Sequence, residues 1–119
     1  MTFQELQNKI GNLVESEWHR AAGGGWIQNT ARVENEENVR DGSIVFGNAQ
    51  VSGNARVSGN ALVFGNAQVS GDVQVSGCAL VFGNAQVSGN AQVFGSAQVY
   101  GSAQVYGCAQ VYGSAQVSN

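Results

Sequence analysis

Few side chains in this sequence could do chemistry, and those few stand apart. His19 is the one histidine. It could act as a base in principle, but it has no second histidine with which to share a metal. Placed near the end of an amphipathic stretch, it reads as a helix-dipole partner or an exposed ring. Cys78 and Cys108 are too few for a disulfide framework and lack the histidine or acidic neighbours that complete a metal site. They read as small residues at turns. Glu34, Glu36, Glu37 and Asp41 crowd together, as a solvated acidic face would, with a calcium site the sharper alternative. These residues predict no catalytic group, no metal and no cofactor. The chain reads as a non-enzyme.

What the sequence offers instead is spacing. Glycine recurs at every sixth position from Gly47 through Gly113, twelve times without a gap, and valine at every sixth position from Val33 through Val117. From Gly47 on, the third position of each hexad is alanine in eleven cases of twelve, Val73 being the exception. Alanine and valine two residues apart point to one side of an extended chain, while the residue between them and the one after point outward. Glycine followed by asparagine supplies the types that tolerate positive φ at a tight corner. A helix would smear a six-residue period around its circumference. The repeat therefore predicts short, stacked parallel strands joined by corners. The irregular hexads before Gly47 (NTARVE, NEENVR, DGSIVF) fit the atypical end of such an array.

Composition agrees. Seventeen glycines with no proline mark regular turns rather than a linker. The net charge is −3, and twelve of the thirteen charged residues lie in residues 1–56, leaving Asp72 alone beyond Arg56. Nucleic-acid binding needs a basic stripe, and none is present. No apolar run approaches the ~18 residues of a membrane span, and the start lacks a basic region followed by an apolar run. No nucleic acid and no membrane contact are expected, and a cytoplasmic location is the default.

The hexads, written from Val51 as Val51-Ser52-Gly53-Asn54-Ala55-Arg56, resemble the hexapeptide-repeat family, whose motif is an aliphatic residue, often glycine, two variable residues and a small residue. The likeness covers about sixteen hexads, from Gly23 to Ser118, and the Gly-Gly-Gly-Trp start at 23–26 followed by Gly-Asn-Ala-x-Val units looks like bacterial and phage proteins of loosely assigned function. The resemblance implies an all-β fold, a left-handed parallel β-helix with three flat faces and about five coils of three hexads each. It also implies self-association, since family members are usually trimers. Many members are acyltransferases that use a histidine near a subunit boundary and loops interrupting the coils. Here the only histidine lies outside the repeats, and no loop interrupts the coils after residue 41. The γ-type carbonic anhydrases of the family need three histidines, which this chain lacks. Ice-binding solenoids usually present threonine arrays, and only Thr2 and Thr30 occur here.

Three hexads per coil put every third hexad on one face. One face carries Gln50, Gln68, Gln86 and Gln104, with Ser52, Ser70 and Ser88. A second carries Arg56, Gln74, Gln92 and Gln110, with Ser58, Ser76, Phe94 and Tyr112. The third differs: Ile44, Leu62 and Leu80 form one outward column, and Phe46, Phe64, Phe82 and Tyr100 the next. Apolar side chains in register on one face mark an interface or something packed over it. Residues 1–22 are expected to form an amphipathic helix and a Gly-rich linker, and residues 23–119 the solenoid. Thr2 and Glu5 make a capping-box pattern, and Phe3, Leu6, Ile10, Leu13, Val14 and Trp18 share one helical stripe. A helix through Trp18 would span ~25 Å, close to the rod's length, and could lie on the apolar face, meet another copy, or plug the first coil with Trp26 and Ile27. Tyr106 and Tyr112 decorate the last turn, where an open solenoid end predicts an end-to-end contact. The expected function is a protein-contact or assembly module, homo-oligomeric as a dimer or trimer. A phage- or bacterium-encoded inhibitor or accessory protein is one form this could take. The alternative is an acyltransferase-like hexapeptide protein whose catalysis is degenerate or dependent on subunit interfaces.

Overall fold

A computed structural model describes residues 2–118 of the chain. The expected solenoid segment 23–119 ends on Asn119, which lies outside the described residues. Each two-residue strand pairs in parallel with the strand eighteen residues away: Gln86 lies beside Gln68 and Gln104, and Val87 beside Val69 and Val105. The outcome is a three-faced parallel β-solenoid, and the molecule with its N-terminal segment measures 36 × 25 × 20 Å. One face holds Trp26–Gln28, Ile44–Val45, Leu62–Val63, Leu80–Val81, Gln98–Val99 and Gln116–Val117. The second runs from Arg32–Val33 to Gln104–Val105, and the third from Arg56–Val57 to Gln110–Val111.

The hexad explains the packing residue by residue. Between Ala49 and Val105 every Ala and Val of the two inward columns is buried, with no more than 5% of its surface exposed. Adjacent coils are joined by amides that donate to the residue seventeen further on, as from Gln68 to Ala85 and from Ser70 to Val87, both 2.9 Å. Corners need glycine twice over. Gly53 has φ +65°, and a Cβ added to it would lie 3.0 Å from the Gly71 nitrogen in the coil below. Asp41 takes the equivalent corner one coil before Gly59 and is the one non-glycine with positive φ among the described residues, at +59°. Short polar side chains tolerate that region best.

The first coil is closed by the chain itself. Gln28, Glu34 and Asp41 accept hydrogen bonds from the amides of Gly47, Gly53 and Gly59 at 2.8, 3.5 and 3.3 Å. Two of the four crowded acidic residues thus serve as caps on the next coil's corner amides.

The N-terminal segment departs from the single long helix. Helix α1 is Phe3–Ile10, opened by the Thr2–Glu5 capping box and ended at Gly11, whose φ is +132°. A 3-10 turn at Glu15–Glu17 follows, and then strand β1, Trp18–Arg20, pairs antiparallel with β2, Trp26–Gln28. Trp18 and His19 are therefore strand residues. The reason is Gly11: its backbone conformation stops the helix, and the stripe beyond it continues in other backbone. The Gly-rich stretch is the tight turn of this hairpin, with the Ala21 amide donating to the Gly25 carbonyl at 2.7 Å. It is packed hard, since a Cβ at Gly25 would sit 2.6 Å from Val39 Cγ1.

Candidate functional site

The third hexad of each coil builds the distinctive face. Because side chains in one register position recur at the coil spacing of ~4.8 Å, rings in that position must stack. Phe46, Phe64, Phe82 and Tyr100 form one ladder, with centroids 4.8, 5.0 and 5.2 Å apart and planes within 9° of parallel. Beside it runs the column Trp26, Ile44, Leu62, Leu80. Each stacked pair adds ~0.5–1.5 kcal/mol beyond the area it buries. Stacking covers the ring faces and leaves the edges outward, so Phe64, Phe82 and Tyr100 are half-buried rather than open.

The upper part of this face is already covered. Leu6 of α1, wholly buried, packs with Trp18, Trp26 and Ile44, and Phe3, Ile10, Leu13, Phe46 and Leu62 close around them. Phe3 meets Trp26 edge-on at 5.8 Å, and Trp18 lies against Phe46 at 6.1 Å. Ile44, expected among the outward apolar residues, is fully buried. Its side chain does leave the solenoid core, but the helix sits on it. Below Leu62 the helix is absent, and Leu80, Phe64, Phe82 and Tyr100 remain partly accessible.

The other residues singled out in the sequence do not join this face. Val14, at 58%, is among the most exposed large apolar residues, together with Tyr106 at 68% and Tyr112 at 58%. Tyr106 and Tyr112 occupy two further corners, and Tyr112 stacks on Phe94 at 5.4 Å. Cys78 and Cys108 are exposed free thiols, and no group of three metal-ligating side chains exists among the described residues. His19 is not at a helix end: its Nδ1 faces Asn29 Oδ1 at 2.6 Å and its Nε2 faces Glu36 Oε2 at 3.0 Å. The Asn29 bond first, and then the Glu36 carboxylate, hold its pKa above the ordinary value. Glu5 is held below the usual carboxylate range by its bonds to Thr2. Trp18 Nε1 is buried without a hydrogen-bond partner among the described residues. The hairpin that brings Trp18 and Trp26 together left no trace in the hexad pattern, since its two strands precede the regular glycines.

The family model described as the YdcK beta solenoid repeat matches residues 49–65, 55–71 and 85–101, about a third of the chain. The first two matches are offset by one hexad, so the likeness follows the six-residue unit. The chain is a repeat β-solenoid, as the hexads predicted. No curated protein and no solved structure matches it. No helix among the described residues is long and apolar enough to cross a membrane.

Proposed function

We propose that this protein is a non-enzymatic assembly or interaction module whose contact surface is the lower part of the aromatic face. The observation that carries the reading is the in-register ladder Phe46–Phe64–Phe82–Tyr100 running out from beneath α1 beside Leu62 and Leu80. Such a ladder presents flat apolar ring edges with no charged side chain in either column. Aromatic, rigid and low in conformational entropy, these side chains are of the kind that anchor protein contacts. The partner is a second copy of the chain in a dimer or trimer, or a host protein bound by a phage- or bacterium-encoded accessory protein or inhibitor in the cytoplasm.

The test is particle mass. The unmodified chain is expected to sediment as an oligomer, or to bind its partner, and Phe64→Ser with Phe82→Ser to abolish that while the β circular-dichroism signal persists. An unchanged particle mass in the double variant, or a monodisperse monomer with no partner, overturns the reading. Acetyl-CoA separates it from acyl transfer: no thermal stabilisation and no consumption are expected.

A further inference from the structure

A different face carries a feature that the protein-contact reading does not use. The consensus face of Gln and Ser is flat, but where the 3-10 turn Glu36–Asn38 replaces a strand in the first coil, the wall becomes concave. The hollow beneath it has a volume of about 540 Å³, and every side chain lining it is polar: Asn35, Glu37, Asn38, Asn54, Arg56, Asp72 and Gln74. A smaller hollow of about 160 Å³ adjoins it, sharing Arg56 and Gln74 and adding Arg40.

The residues that break the repeat meet here. From Gly47 onward the array holds two charged side chains, Arg56 where the consensus has Gln and Asp72 where it has Asn, and both line the same hollow. Neither is needed by the fold, because the Gln and Asn versions of the same positions occupy the neighbouring coils in the same register. The charges are sorted by sign. Arg40 lines the smaller hollow alone, Arg56 lines both, and Glu37 and Asp72 line the larger one with Asn54, whose Nδ2 already donates to one Asp72 oxygen at 3.2 Å. The larger hollow alone holds one cationic and two anionic groups; with Arg40 of the smaller one, the two hollows together hold two of each, so across the pair neither a simple anion nor a simple cation is matched. A ligand with both charges is.

We propose that these two adjoining hollows together bind a small zwitterion, an amino acid or short peptide with free ends. Its carboxylate lies on Arg56 and on the terminal nitrogens of Arg40, whose Nε already donates to the Glu37 carbonyl at 3.0 Å. Its ammonium lies on Glu37 and Asp72, and the amides of Asn35, Asn54 and Gln74 take its remaining polar atoms. A volume of this order accommodates a dipeptide.

The experiment is an amide NMR titration of the full chain with alanine and with dialanine, repeated with their N-acetylated and C-amidated forms. Saturable shifts are expected at Asn54, Arg56, Asp72 and Gln74. Blocking either end, or changing Arg56→Gln or Asp72→Asn, is expected to weaken binding about tenfold, the loss of one exposed charge-assisted pair. Both substitutions restore the repeat consensus, so the fold is kept and a loss reports the site. Absence of saturable shifts, equal binding of the blocked forms, or unchanged binding by both variants overturns the proposal. None of these outcomes touches the aromatic face.

Discussion

His19 shows how much a single side chain can fasten. Its two ring nitrogens face Asn29 Oδ1 and Glu36 Oε2, and the Asn29 amide is fixed in that orientation because its Nδ2 donates to the Ser16 carbonyl at 3.0 Å. Two acceptors on two nitrogens require two N–H groups, which the imidazolium has and the neutral ring lacks. The ring thus ties β1 to the asparagine after β2 and to the turn Glu36–Asn38 of the first coil. A folded pKa above the ordinary value of 6.5 contributes stability that is fully present below that value and is lost as pH climbs through the folded pKa. The single histidine makes the measurement clean: its ring protons should titrate with a midpoint above 6.5. His19→Gln should remove the corresponding fall in stability on the alkaline side. A midpoint at or below the free-histidine value would dismiss the clamp. The sequence read His19 as a helix-dipole partner or an exposed ring and could not place it, since its two partners, Asn29 and Glu36, come from segments 10 and 17 residues away.

At the scale of elements, helix α1 is the least self-sufficient part of the chain. Eight residues are too few to be helical alone in water, so α1 exists because Leu6 and its neighbours bury themselves on Trp18, Trp26 and Ile44. Of the stripe Phe3, Leu6, Ile10, Leu13, Val14 and Trp18, legible as the set that turns inward, five pack together and Val14 turns outward, 58% exposed, because the chain beyond Gly11 is no longer helical. The backbone that carries them was not legible. A helical stripe and a helix–turn–strand can bring the same side chains to one place, and only the geometry at Gly11 decides between them. Leu6→Ala should cost ~2–5 kcal/mol if the cap were part of the core. Because the cluster under α1 is separate from the core inside the coils, the expected result is instead local. Both tryptophans of the chain lie in this cluster, so their fluorescence should shift to the red while the β circular-dichroism melt barely moves. A melt lowered in step with the fluorescence would mean that cap and solenoid unfold as one unit.

Over the whole molecule the sequence was most transparent, because a period of six repeated through the array puts Ala and Val inside and glycine at the corner, while the resemblance to the hexapeptide-repeat family implied that every third hexad shares a face. The ladder of rings followed from register alone. What it could not show was how the irregular first coil is joined to the second, where the side chains of Gln28, Glu34 and Asp41 accept from the corner amides of Gly47, Gly53 and Gly59. The same regularity makes the rod vulnerable at its corners. A Cβ at Gly77 would stand 2.9 Å from both the nitrogen and the oxygen of Gly95, and Gly77 itself sits at φ +68°. Neither contact is with a side chain that could swing aside, so the two coils must part along their hydrogen-bonded edges. Gly77→Ala is therefore expected to destabilise by more than the ~1–2 kcal/mol of left-handed backbone alone, lowering the melting temperature by at least several degrees. Gln86→Ala, on an exposed side chain of the neighbouring strand, should stay within ~0.5 kcal/mol of the parent. If the two variants melt together, close stacking of glycine corners is not what sets the spacing of the coils, and the ring ladder must hold that spacing instead.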